Sequence, residues 1–149
     1  MPKINSTRFF IGGLVASILA FLSDGFLHEQ LVKADWAAVY SRISATPGEH
    51  SPVALFYFAV FDLGRGFVSM FLYVMMRRSF GPGPKTAVLA GLVSWLAICV
   101  TTPAQFIPLG FYSNALWWKA GAFQLVTSII VTVVGAALYK DELSTAPAV

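Results

Sequence analysis

The sequence predicts an all-α protein, a bundle of four antiparallel transmembrane helices, and three observations support this fold class. Of the 149 residues, 57% are hydrophobic and only 11% are charged, whereas soluble domains average about 25% charged residues. The apolar residues form four blocks, each close to the roughly 20 residues that cross a hydrocarbon core. Lysines and arginines flank these blocks without forming a basic stripe, so the net charge of +3 does not indicate a partner nucleic acid.

Each apolar block is predicted to be one helix, because a backbone surrounded by lipid must form its hydrogen bonds within its own segment. Charged or turn-forming residues separate the blocks, so we interpret the chain as a single membrane domain, 1–149, with no soluble domain. The predicted transmembrane helices cover about 9–31, 53–76, 86–102 and 116–139.

The first block follows Lys3 and Arg8 and runs from Phe9 to about Leu31. A basic start before an apolar run is also typical of a secretory signal peptide, with cleavage here near Ala20. The apolar run continues past that residue and is longer than a signal peptide needs. We therefore predict a membrane-spanning first helix.

The two links on the opposite side of the membrane from the N terminus differ in character. Within 32–43, apolar residues recur at helical spacing, which predicts a short amphipathic helix in the membrane interface with Trp36 and Tyr40 at headgroup level. Residues 45–52 form a turn-rich loop leading into the second block. The segment 103–115 is uncharged and contains two prolines, and we predict an interfacial or shallow re-entrant loop there.

The distribution of basic residues predicts that both termini are cytoplasmic. With the N terminus inside, six lysines and arginines lie on the cytoplasmic side and three outside, as the positive-inside rule requires. The cytoplasmic turn at 79–84 is rich in proline and glycine, so it makes the second and third helices antiparallel neighbours. The cytoplasmic residues are Lys3, Arg8, Arg77, Arg78, Lys85 and Lys140, and the external ones are Lys33, Arg42 and Lys119.

Ionisable side chains interrupt the first two apolar blocks. A charge at mid-bilayer costs about 2.5–3.5 kcal/mol on insertion scales, so each such group needs a partner or water. Asp24 and His28 are four residues apart in the first helix, and Asp62 and Arg65 are three apart in the second. Each pair therefore shares a helix face.

Polar residues of all four helices fall at a similar depth. With a rise of about 1.5 Å per residue, counted from the basic residue at each cytoplasmic end, Asp24 lies roughly 24 Å deep and Asp62 roughly 22 Å deep. We predict a buried polar layer centred on Arg65, with these two aspartates as its partners. The other members of the predicted layer are His28, Thr101, Thr102, Gln124 and Ser128.

Small residues recur four apart in the helices, as at Gly12, Ala16 and Ala20 or at Ala87 and Gly91. Such spacing lets two helices approach closely. We expect these faces to be packing surfaces.

Three function classes compete for the polar layer. An arginine between two aspartates already has its charge partners within the protein, which favours a structural or accessory subunit, acting as a homo-oligomer or within a larger membrane complex. The alternative is a small transporter or ligand-binding protein that uses the layer as a proton, ion or ligand site.

A membrane enzyme is the third class. Asp24 and His28 could act as an acid/base pair, but no nucleophile motif is present. The second histidine, His50, lies in a loop, so a metal or haem site lacks ligands. The single cysteine, Cys99, excludes an intramolecular disulfide. We expect no catalytic residue, no metal and no cofactor, and membrane lipids as the surrounding partners.

Several short motifs resemble a known family. The run FGPGPKTA at 80–87, the later AGL at 90–92 with Trp95, and ADW at 34–36 after Asp24 and His28 are similar to those of an uncharacterised family of small bacterial four-helix membrane proteins. The resemblance covers most of the chain, but its motifs are turns and packing residues. It implies a bacterial inner-membrane protein and no catalytic residue.

Overall fold

The structure is a computed structural model that describes residues 4–42 and 52–140 of the chain. These residues form five helices and no strand, so the predicted all-α class is confirmed. Most of the predicted loop 45–52 lies outside the described residues. Four of the helices, all except α2, are long and apolar enough to cross a membrane. The helices are α1 (Ser6–Leu31), α2 (Lys33–Arg42), α3 (Pro52–Phe80), α4 (Pro84–Ala104) and α5 (Asn114–Ala137).

Helix α3 is longer than the sequence predicts, because it continues past Met76 through Phe80. Basic residues are favourable in the last turn of a helix, so Arg77 does not end it. The chain turns only at Gly81 and Gly83, whose φ angles of 80° and 132° are rarely adopted by residues with a side chain. The predicted turn at 79–84 is thus confined to the three residues between α3 and α4.

The four long helices follow one another around the bundle in chain order. Helix α1 packs against α3 and α5, and α4 packs against the same two helices. The Trp95 indole of α4 donates a hydrogen bond of 2.8 Å to the Gly121 carbonyl of α5, and that of Trp117 in α5 donates one of 3.1 Å to the Val100 carbonyl of α4. Residues later in α4 thus meet residues earlier in α5, as antiparallel neighbours require.

Small side chains fill much of the interior of the bundle, and many of the large apolar side chains face outward. Ala16, Ala20 and Ala90 are completely buried. Phe10 and Leu22, by contrast, are each 61% exposed. This distribution is expected where lipid surrounds the bundle, because small residues allow close helix approach and lipid solvates the large ones.

Helix α2 covers one end of the bundle, which we call the outer end. Its Val39 packs into a cluster with Leu27 and Leu116. The Lys119 ammonium lies 2.8 Å from the Asp35 carboxylate and links α5 to α2. The predicted interfacial helix therefore exists as a helix, and its contacts fix it against α1 and α5.

Two stretches depart from α-helical geometry. Helix α1 widens into π-helical turns over Leu27–Leu31, and α4 does so over Trp95–Thr101. A π-helical bulge inserts about one extra residue. Side chains after the start of the bulge are thereby rotated by about 100° from the face that regular α-helical spacing predicts.

Candidate functional site

Arg65 is the centre of a buried ion cluster at the middle of the bundle. The residue is only 2% exposed, although it carries a guanidinium. Its Nη1 donates to Asp24 Oδ2 at 2.7 Å and its Nη2 donates to Asp24 Oδ1 at 3.1 Å. This two-point geometry is the strongest that an arginine and a carboxylate can form, and it joins α3 to α1.

A third helix contributes to the same carboxylate. The side-chain amide of Gln124 in α5 donates from Nε2 to Asp24 Oδ2 at 3.1 Å. Asp24 therefore accepts three hydrogen bonds from two helices. This carboxylate ties α1, α3 and α5 together at one level.

Asp62 is held much less tightly than Asp24. Its Oδ1 lies 3.5 Å from Arg65 Nη1, and that oxygen is buried without a hydrogen-bond partner in the described part of the chain. The Nε of Arg65 is in the same situation. The two aspartates are thus not equivalent, and the guanidinium is committed to Asp24.

Local sequence explains how the guanidinium reaches α1. Gly66 follows Arg65 and packs against the backbone of Ser17 in α1. The Ser17 hydroxyl donates to the Leu63 carbonyl of α3 at 3.0 Å. A side chain at residue 66 would separate the two helices, so the glycine allows the short bonds between Arg65 and Asp24.

A serine pair that the predicted layer omits lies beside the cluster. The hydroxyls of Ser69 and Ser94 are 2.8 Å apart and link α3 to α4, and Ser69 also donates to the Arg65 carbonyl at 2.9 Å. Position 69 is four residues after Arg65 and so shares its helix face. This spacing was the signal in the sequence that could have placed Ser69 in the predicted layer.

We call Asp24, Asp62, Arg65 and Gln124 the ion cluster.

Ser128 is buried, as the predicted layer requires, but its hydroxyl faces α4. It lies 3.9 Å from the Cys99 thiol. It forms a second polar contact between α4 and α5 and makes no hydrogen bond to the ion cluster.

The prediction that Thr101 and Thr102 belong to the buried layer is wrong. Both residues are exposed, and their hydroxyls donate to the Ala97 carbonyl of their own helix at 2.6 and 3.1 Å. The prediction assumed 3.6 residues per turn, and the π-helical stretch of α4 rotates these positions outward. Threonine hydroxyls satisfied by their own backbone need no partner on another helix.

His28 also lies outside the ion cluster. Its Nδ1 is 2.8 Å from the backbone oxygen of Asp24 and not from the carboxylate. Its ring stacks on Trp36 with centroids 5.6 Å apart. His28 thus packs among aromatic residues at the outer end of the bundle. The acid/base pair of Asp24 and His28 that the sequence suggested does not form.

The described residues provide no arrangement of histidine, cysteine, aspartate and glutamate that could hold a metal ion. Cavities of about 150 and 250 Å³ lie at the inner and outer ends. Neither is lined by a residue of the ion cluster. At the outer cavity, burial together with the nearby Tyr40 and Asp24 raises the pKa of the Tyr112 phenol above its usual value of 10, so the Tyr112 side chain is uncharged at neutral pH.

Comparison with known proteins adds no assignment to this geometry. No protein-family model, no curated protein and no solved structure matches the chain.

Proposed function

We propose that this chain is a structural or accessory subunit of a bacterial inner-membrane assembly, in which the ion cluster holds a rigid four-helix bundle together. The three-helix junction at Asp24 carries the proposal. Three donors from α3 and α5 converge on this one buried carboxylate. A charge network satisfied in this way fixes the relative positions of helices and needs no ligand to do so.

The core on the inner side of the ion cluster supports a structural role. Met70 is completely buried there and Val131 is 1% exposed. The buried hydroxyl of Thr132 donates within its own helix, to the Ser128 carbonyl at 2.7 Å. Among the described residues, this part of the core thus combines buried apolar side chains with a hydroxyl that is satisfied by its own helix.

An accessory role needs a surface for a partner, and the outer part of α3 offers one. From Pro52 to Phe61 every residue except Ala54 is exposed, whereas a helix within a bundle usually buries one face. Phe56 and Phe61 are 63% and 48% exposed. We propose that another copy of the chain or a second membrane protein packs against this segment, with lipid covering the remaining apolar faces.

Purification from native membranes in a mild detergent tests the accessory role. We expect the tagged chain to migrate as part of a larger assembly, and expect the double variant Phe56→Ala with Phe61→Ala to release it. As a matched control, Val126→Ala with Ile130→Ala removes side chains of α5 that are 57% and 52% exposed and should leave the assembly intact. Migration of the wild-type chain alone, with a bound metabolite, would favour the transporter or ligand-binding alternative.

That alternative has one observation in its favour, the buried Asp62 Oδ1 with no hydrogen-bond partner among the described residues. Intramembrane carboxylates often mark ion or proton sites. In a transporter, Asp62→Asn would abolish transport while the protein still accumulates in the membrane. In a structural subunit, the same variant leaves the assembly unchanged.

The proposed topology places both termini in the cytoplasm. We expect a membrane-impermeant maleimide to label Ser41→Cys in intact cells with a permeabilised outer membrane, and Ser79→Cys only after the inner membrane is broken. Both serines are exposed, at opposite ends of the bundle. A Cys99→Ala background removes the one native thiol. Labelling of Ser79→Cys in unbroken cells would reverse the proposed orientation.

A further inference from the structure

The charges of the ion cluster do not cancel if every group has its usual ionisation state. Asp24 and Asp62 each carry a negative charge, and Arg65 carries one positive charge. The two other long helices contribute neutral groups, since the Cys99 thiol of α4 lies near Arg65 and the Gln124 amide of α5 donates to Asp24. The fully ionised cluster would thus hold one uncompensated negative charge inside a bundle surrounded by lipid, which is costly.

The geometry identifies the carboxyl group that bears the excess charge. Asp24 accepts three hydrogen bonds, from Arg65 and Gln124, and these stabilise its ionised form. Asp62 is 2% exposed, has only the 3.5 Å approach to Arg65, and buries Oδ1 without a hydrogen bond. Water has little access to this carboxyl group, and among the described residues its Oδ1 accepts no hydrogen bond.

We propose that Asp62 is a proton-binding site, whose carboxyl group carries one exchangeable proton while the bundle is assembled. The carboxylate and one proton from solvent combine to the neutral acid, and the net charge of the cluster changes from −1 to zero. The inference rests on the proposed structural role, because it treats the cluster as the closed centre of the bundle. It adds a ligand, the proton, and makes the stability of the bundle depend on pH.

A proton fits this place better than a metal cation does. Hard cations take several oxygen ligands, six or more for calcium. The groups within reach of Asp62 include the guanidinium of Arg65, which repels a cation. The described residues also contain no group of side chains suited to a metal. A single proton needs one oxygen, and Asp62 supplies it.

Infrared difference spectroscopy of the purified full chain in lipid tests the proposal directly. We expect the wild type at neutral pH to show the C=O band of a protonated carboxyl group, shifted in deuterated water and lost at alkaline pH. Asp62→Asn should remove the band. Asp35→Asn changes the more accessible carboxylate that pairs with Lys119 and should retain it. Absence of the band in the wild type, or its persistence in Asp62→Asn, would overturn the assignment.

Thermal unfolding provides the second readout. Below the usual pKa of an aspartate, about 3.9, both the folded and the unfolded chain bind the proton, and above it only the folded state keeps it. The free energy of unfolding therefore falls as pH rises from that value to the pH at which the proton leaves Asp62 of the folded protein. Over this range we expect the wild-type midpoint to fall by roughly 3–5 °C per pH unit, and the midpoint of Asp62→Asn to remain level and no lower than that of the wild type at neutral pH. A midpoint that depends on sodium and not on pH would instead show that a metal cation occupies the site. Both measurements use the isolated protein, whereas the accessory role is tested in native membranes. A negative result here would overturn the proton site and leave the native assembly intact. Absence of a native assembly would overturn the accessory role and leave these two measurements unchanged.

Discussion

Arg65→Ala is expected to remove most of the folded protein from the membrane. The substitution deletes the two Arg65 donors to Asp24 and the positive charge beside Asp62, so the buried Asp24 carboxylate keeps only the hydrogen bond from Gln124. Loss of one partner of a buried ion pair costs about 3–5 kcal/mol, a large part of the stability of a domain of this size. Abundance in the membrane fraction and the thermal midpoint of the residual protein measure the effect.

Arg78→Ala is the matched control, since it removes an exposed arginine from the end of the same helix. It should change stability by less than about 0.5 kcal/mol. Arg65→Lys should give an intermediate result, because lysine keeps the charge but lacks the planar fork that bonds both oxygens of Asp24. Normal abundance of Arg65→Ala would contradict the structural role of the ion cluster.

Exchanging the charge of Arg65 with that of each aspartate tests which aspartate is its main partner. The double variant Asp24→Arg with Arg65→Asp should regain part of the abundance lost in Arg65→Ala, because it restores an opposite pair between α1 and α3. Exchange between positions 62 and 65 should regain less, because Asp62 forms no hydrogen bond to the guanidinium. Equal recovery in the two double variants would show that both aspartates pair with Arg65 to the same extent.

Composition and charge placement were enough to predict the four long helices and the meeting of Asp24, Asp62 and Arg65. Lipid imposes strict conditions on a chain: spanning segments must be apolar and helical, and a buried charge must find a partner. These conditions leave few alternatives for an arginine and two aspartates in neighbouring apolar segments. The same reasoning assigned Gln124 to the level of Asp24, where its amide completes the junction.

The positions of Thr101, Thr102 and His28 could not be predicted in the same way. All three lie within or just after π-helical stretches, and depth counting assumes regular α-helical geometry. The order of helices around the bundle and the preference of the guanidinium for Asp24 over Asp62 also depend on tertiary packing. Spacing along one helix contains no information on either.

The second large effect is expected at Gly66, where α3 lies close to the backbone of α1. A Cβ atom at this position would lie 2.5 Å from the backbone nitrogen of Ser17 and 2.7 Å from its Cα. Backbone atoms cannot rotate away as a flexible side chain can, so Gly66→Ala must push the two helices apart. Overpacking of this kind costs typically 1–3 kcal/mol, and we expect a corresponding fall in thermal midpoint and membrane abundance.

Gly64 provides the control, because it lies two residues earlier in the same helix and a Cβ there meets nothing within 4 Å. Gly64→Ala should be neutral or stabilise the helix by up to about 1 kcal/mol, the difference in helix propensity between the two residues. If Gly64→Ala and Gly66→Ala behaved alike, the close approach of α1 to α3 would be disproved.

The effect of Gly66→Ala should extend to the ion cluster. The bonds of 2.7 and 3.1 Å between Arg65 and Asp24 need α1 at its present distance from α3, and residue 66 adjoins the arginine. A helix displaced by even 1 Å would lengthen both bonds beyond good hydrogen-bond geometry. The double variant Gly66→Ala with Arg65→Ala should therefore lose less stability than the sum of the two single variants, since neighbouring sites that act on one interaction are not additive. Strict additivity would mean that the glycine and the arginine stabilise the bundle independently.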